Sequence, residues 1–315
     1  MKPYLESLIL IAAIVLGSLT GLYTSYTSSL TDFFIIAMLF FLFYNVSLSG
    51  FFNGIKNRKY ILVALTTNFI LIPSIAFVLS TFVVDTTSAI FLGLIIYLIA
   101  PCTDWYLGFT KLANGNVEVN SALLPFNLLL QILLLPFYLS LFTSSNISSP
   151  IDAFSDVLIY WVLIPFGIAQ LVRIVMRKLF SKSFEKSSSL AELLVLISLT
   201  LLIFSVFNVN IATLISNLAL LPSVFAVILI FFVITFLLAW FIAKTAGFSK
   251  EERVSLTMTT AARNAPLMLG ISLIFFPEAP LIQLVLVVGI LVEFPHLITI
   301  TYLLKKKALP FRIGK

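Results

Sequence analysis

Charge is scarce in this chain, and its 315 residues hold one cysteine, Cys102, and one histidine, His296. A single cysteine excludes an internal disulfide framework and any multi-cysteine metal site, and a single histidine excludes a histidine cluster. Charged residues make up 10% of the chain and hydrophobic ones 61%, whereas soluble proteins carry about 25% charged residues. The apolar runs fill the whole length, so removing one anchor would not restore a soluble composition. No Gly-rich nucleotide loop, no paired carboxylates and no nucleophile triad occur. No enzyme, cofactor or resident metal is therefore expected. The net charge of +6 would suggest nucleic acid in a soluble domain, but here its location matters more than its size. No small-residue cleavage site follows the first apolar segment, which reads as a retained span.

What is present is a series of apolar runs of about 20 residues, the length of a membrane span. Ten are expected: 5–26, 32–53, 60–83, 88–111, 119–142, 155–180, 190–208, 218–245, 253–276 and 280–304. The seventh is short. With a cytoplasmic amino terminus, every basic residue except Arg263 falls in a cytoplasmic segment and the outer connections hold none. That is the positive-inside pattern. The expectation is a multi-pass protein of the plasma membrane with both termini cytoplasmic. Glu185, Glu251 and Glu252 lie among the cytoplasmic cations and read as charge balance.

Ten spans with both ends on one side divide into two five-helix groups of opposite orientation, 1–145 and 146–315. The Ser-rich stretch from Thr143 to Pro150 joins them. An inverted repeat of this kind is the plan of many secondary transporters. The fourth span is interrupted at Pro101, the ninth between Ala261 and Pro266. Proline removes a backbone donor, and freed backbone groups are tolerated at membrane depth only against protein or a wet cavity. A constant shift in sequence lays Asp104 on Arg263 and Pro136 on Pro295.

Intramembrane charges cost at least about 2.5–3.5 kcal/mol on insertion scales, so the few present ask for a reason. Asp104 and Arg263 could form a structural salt bridge between the two breaks, or Arg263 could attract anions while Asp104 handles a proton or cation. Glu293, ahead of Pro295 and His296, suits proton binding and release, or a polar staple between helices. His296 reads as a packing residue. Asn127 and Gln131 share one face of the fifth span at i,i+4 spacing and could bond across helices or offer oxygens to an ion. Asn45, Thr67 and Asn68 are weaker sites of the same kind. Cys102 offers sulfur, which selects soft partners.

Ala100 to Thr103, Leu112 to Asn116, Phe126 to Gln131, Thr259 to Asn264 and Val288 to Pro295 together resemble motifs of the arsenite-efflux permeases, within the bile acid:sodium symporter superfamily. The resemblance implies ten transmembrane helices in two inverted five-helix repeats, with broken, crossing fourth and ninth helices and core and panel subdomains. It also implies that Cys102, at the fourth-helix break, is needed for metalloid transport. A glutamate that is functional in the ninth-helix break of that family matches Leu267 here, and Arg263 stands where the family has a small residue. The expected function is arsenite efflux by proton antiport. The alternative is sodium- or proton-coupled transport of a bile acid-like organic anion, with Arg263 as its anchor. Substrate contacts are expected from Cys102, Thr103, Asp104, Arg263 and Asn264. The coupling ion or proton is expected at Asp104, Glu293, Gln131 and Asn127, with Thr103 and Asn264 as further oxygen ligands if the ion is sodium. The expected partners are a small inorganic or organic solute, the coupling ion and the lipid bilayer.

Overall fold

The computed structural model describes residues 3–23, 29–46, 57–103, 105–142 and 158–305. These form twelve helical segments and, among the described residues, no strand beyond one isolated bridge. In chain order they are α1 (Pro3–Gly21), α2 (Ser29–Asn45), α3 (Arg58–Thr81), α4 (Ala89–Ile99), α5 (Tyr106–Leu112) and α6 (Val117–Phe142). There follow α7 (Ile159–Leu179), α8 (Ser181–Ser216), α9 (Leu218–Thr245), α10 (Lys250–Ala261), α11 (Ala265–Phe275) and α12 (Pro280–Lys305). Six of these, α3, α6, α7, α8, α9 and α12, are long and apolar enough to cross a membrane; α1, α2, α4 and α11 are shorter apolar helices. The expected fourth span falls on α4 plus α5, and the expected ninth on α10 plus α11.

The seventh span departs from expectation. Instead of a short run at 190–208 it is a helix of 36 residues. Its first turns, rich in Ser, Lys and Glu, are too polar for a hydropathy window, yet they continue the helix directly from Phe180.

Local chemistry sets the helix ends. Ser88 caps α4 by accepting the Phe91 N–H at 3.1 Å, and Asp85 takes both the amide and the hydroxyl of Thr87. Those two donors hold the exposed Asp85 carboxyl below the usual carboxylate range. Ser249 and Glu252 form a reciprocal capping box at the start of α10. Glu252 also accepts from Asn57 Nδ2 at 2.7 Å, so it ties α10 to α3 rather than merely balancing charge. Asn114, in the left-handed region at φ 60°, closes the turn after α5 where the Leu112 to Asn116 stretch predicts one. Within α3 a π-turn spans Thr67–Leu71, just ahead of Pro73. The Phe69 carbonyl, four residues before that proline and so without its helical donor, accepts the Tyr138 hydroxyl of α6.

Polar contacts gather the helices into two sets. In the first, α1, α2, α7 and α8, the backbones of α1 and α8 meet at Gly17 and Gly21. A Cβ there would lie 2.5 Å and 2.3 Å from the carbonyl oxygens of Phe204 and Asn208. This spacing of two glycines four apart is a helix-packing motif of membranes, and Asn208 Nδ2 donates to Thr20 Oγ1 at 2.9 Å between them. The last carbonyls of α2 are closed by α7: Gln170 donates to Phe43 and Val46, and Arg173 to Tyr44. The second set holds α3 to α6 and α9 to α12. Apolar side chains join the two sets, with Met38 and Leu39 of α2 packed on Gly270 of α11.

Candidate functional site

The two interrupted helices meet at their breaks. Ala100 and Ala262, which end the two helices, are extended, and after them Pro101 pairs with Arg263 in an antiparallel bridge. The bridge is made by Cys102 N–H on the Ala262 carbonyl at 3.1 Å and Asn264 N–H on the Ala100 carbonyl at 2.9 Å. Pro101 and Arg263 are thus the pair whose own amides point away from each other. Proline costs nothing at such a place, and the Arg263 N–H is left to reach elsewhere. The first break, 100–105, is three residues longer than the second, 262–264. Arg263 faces Pro101. Asp104 itself lies outside the described residues.

The Arg263 side chain, 0% exposed, closes two helix ends at once. Its Nη1 donates to the Leu98 carbonyl of α4 at 3.0 Å and its Nη2 to the Thr260 carbonyl of α10. Both are last-turn acceptors, where a helix is electron-rich and a cation is favoured. The guanidinium lies over the Phe231 ring of α9, 5.6 Å from its centroid. This placement supplies a structural duty for the arginine that neither the ion-pair nor the anion-anchor expectation included.

Glu293 of α12 receives the amide that the bridge leaves over. Its Oε1 accepts from Arg263 N at 2.9 Å and from Trp105 Nε1 at 3.3 Å, while the Tyr97 hydroxyl lies 3.4 Å from Oε2 and donates to the Gly289 carbonyl at 2.9 Å. One carboxylate therefore connects both breaks, α4 and α12. The Tyr97 ring lies flat against Gly289, where a Cβ would come within 2.4–2.7 Å of three ring atoms. Gly289→Ala is expected to push the ring off and destabilise the fold by about 1–3 kcal/mol, the usual cost of overpacking. The unfolding midpoint of the purified protein measures this. Combining it with Tyr97→Leu should recover part of the loss, and no recovery would mean the methyl group meets something other than the ring.

A patch of amides and hydroxyls borders the bridge. Asn264 Nδ2 donates to Thr103 Oγ1 at 2.8 Å and to Gln131 Oε1 at 3.2 Å. One turn along α6, Asn127 Nδ2 reaches Thr259 Oγ1 at 3.2 Å, and Asn68 Nδ2 reaches both Asn127 Oδ1 and Thr259 Oγ1. All are buried, and Asn68 Oδ1, Thr260 Oγ1, Asn264 Oδ1 and Gln131 Nε2 have no partner. By contrast, a second buried network nearer the α10 amino terminus is closed. There Tyr60 and Tyr106 donate to Asn120, whose amide donates to Thr110 Oγ1 and the Ser255 carbonyl.

Of the expected site residues, Cys102, Thr103, Arg263, Asn264, Asn127, Gln131 and Glu293 all gather at or beside the bridge. Leu267 is fully buried on α11. Asn45 lies away from the bridge, in the first helix set, accepting from Ser188. His296 packs as expected, stacked on Phe232 at 4.4 Å, though its Nε2 has no partner. Tyr97, Trp105, Thr259 and Gly289 were missed. Trp105 is the last residue of the break and could have been suspected; Tyr97 and Gly289 carry no local signal. Among the described residues no cluster of three His, Cys, Asp or Glu side chains could hold a metal ion.

Apolar helices of membrane-crossing length around two interrupted ones, paired at a buried polar centre, define a solute carrier of the bilayer. The family model for the Sodium Bile acid symporter family matches residues 32–217, more than half of the chain, and the protein belongs to that family. Its members are membrane transporters rather than enzymes. No curated protein matches the chain.

Proposed function

We propose that the protein exports a small, uncharged, thiol-seeking solute, arsenite in the first instance, as a ten-span secondary transporter driven by inward movement of protons. In this reading both termini lie in the cytoplasm, and residues 1–145 and 146–315 are inverted repeats. The observation that carries it is the engagement of Arg263 with the carbonyls of Leu98 and Thr260. Two of the three nitrogens of the cation that would anchor an organic anion are committed to the crossing itself, and Nε alone has no partner. Beside it stands the Cys102 thiol, 1% exposed and held in the bridge by its own amide, a soft ligand suited to a soft solute. Glu293, joined to both breaks, is the group through which proton occupancy reaches them.

A second reading of the coupling ion rests on the amide patch. Asn68 Oδ1, Thr260 Oγ1 and Asn264 Oδ1 are buried oxygens without partners, and neutral oxygen sets of this kind suit a hard cation such as sodium. Flux into vesicles under an imposed proton or sodium gradient, with arsenite and a bile acid compared, separates the two. The proposal expects proton-driven arsenite flux that falls to background in Cys102→Ser and loses its proton dependence in Glu293→Gln. If the wild-type chain confers no resistance on an arsenite-sensitive, pump-deficient cell, the arsenite assignment fails. Sodium-driven flux lost in Asn264→Ala would transfer the coupling to the amide patch.

A further inference from the structure

The corner where α7 turns into α8 carries a group of cations that solute transport does not use. Arg173 is its fixed member. It is half-buried, donates through Nη1 to the Tyr44 carbonyl, and stands 6.0 Å from the Tyr44 ring centroid and 5.1 Å from that of Phe184. The Tyr44 hydroxyl bonds to Ser187 Oγ at 2.7 Å and Ser188 Oγ donates to Asn45 Oδ1 at 3.1 Å, so α8 is pinned to the end of α2 beside it. Arg177 lies one turn on, within electrostatic range of Arg173, and Lys178 follows it in the last turn of α7. Lys186, exposed, lies two residues past Phe184. Glu185 is the acid on this stretch of α8. Leading up to these charges, Leu171, Ile174, Val175 and Leu179 are exposed on α7, Leu179 to 72%.

A helix of membrane-crossing length thus ends in cations, with an exposed apolar flank on its bilayer side. This is the profile of a phospholipid: a phosphate at headgroup level and acyl chains alongside. Fixing one guanidinium between two aromatic rings removes the entropy that a wholly flexible basic tail would lose on binding. We propose that the α7–α8 corner binds an anionic phospholipid, with Arg177, Lys178 and Lys186 meeting its phosphate around the fixed Arg173.

The test uses the purified full-length protein in a neutral detergent. It is titrated with phosphatidylglycerol or with phosphatidylcholine of the same chains, and bound lipid is read by native mass spectrometry. Phosphatidylglycerol adducts are expected at low occupancy ratios and phosphatidylcholine adducts are not. The triple variant R177Q/K178Q/K186Q should bind phosphatidylglycerol about tenfold more weakly or worse, since each basic side chain near an anionic headgroup contributes on the order of a few-fold in affinity. The variant K59Q/K111Q/K250Q removes the same charge elsewhere and should bind like wild type. Equal loss in both variants, equal binding of the two lipids, or displacement by millimolar inorganic phosphate would each overturn the proposal.

Discussion

Replacing Arg263 by methionine is expected to abolish the stable fold at ordinary temperature. The methionine fills much of the space, so the loss isolates the guanidinium. Two buried carbonyls, of Leu98 and Thr260, would lose their donors, at about 1–3 kcal/mol each. The Glu293 carboxyl, 1% exposed, would also lose a nearby positive charge. Lysine keeps the charge but presents no fork to serve two acceptors. Arg263→Lys should therefore fall between wild type and Arg263→Met. The yield of monodisperse protein and its unfolding midpoint, compared across the three, decide the matter. A methionine variant as stable as wild type would show that the crossing holds without the cation, and the anion-anchor role would return to consideration.

The second large effect is expected at α1. Substituting both Gly17 and Gly21 by isoleucine puts side chains where backbone carbonyl oxygens of Phe204 and Asn208 already stand, 2.5 Å and 2.3 Å from the first added atom. A side chain can rotate away from an intruder; a helix backbone cannot. The two helices must separate, and the close packing that lipid cannot replace is lost. Folded protein should fall several-fold in membranes, with a loss beyond the about 1–3 kcal/mol of ordinary overpacking. The same pair of substitutions at Gly108 and Gly167, where a Cβ meets nothing within 4 Å, is the control. If both pairs behave alike, the α1–α8 contact is not what the glycines serve.

The helical, membrane-embedded class was legible because hydropathy is a sum over many residues and tolerates local error. The two interruptions were legible because Pro101 and Pro266 stand beside polar residues, Thr103 at one and Arg263 and Asn264 at the other, in otherwise apolar runs. Proline alone would not have marked them, since Pro125, Pro136 and Pro295 lie inside continuous helices. The pairing of the two breaks was not legible. Nothing in the residues around Ala100 says that its carbonyl meets the amide of Asn264, since that depends on a crossing set by the packing of other helices. Arg263 could be seen as an unusual charge, but its duty lies in carbonyls, which are the same in every residue and leave no trace in sequence. Gln131 and Asn127 announced themselves by polarity and spacing on one face of α6. Tyr97 and Gly289 did not, because an aromatic ring against a glycine becomes visible only when the two helices are brought together. The two glycines of α1 were overlooked although their spacing is a recognisable motif.

The pairing of the two breaks also has a consequence for how the chain is made. Leu98 and its partner Arg263 are 165 residues apart in sequence. At about 5–20 residues per second of synthesis, the first break waits roughly 8–30 s before its partner leaves the ribosome. During that interval the carbonyls of Leu98 and Ala100 must find other donors, in water within the insertion machinery or in a helix not yet interrupted. Variants that weaken the second break should therefore be degraded as if the first were damaged.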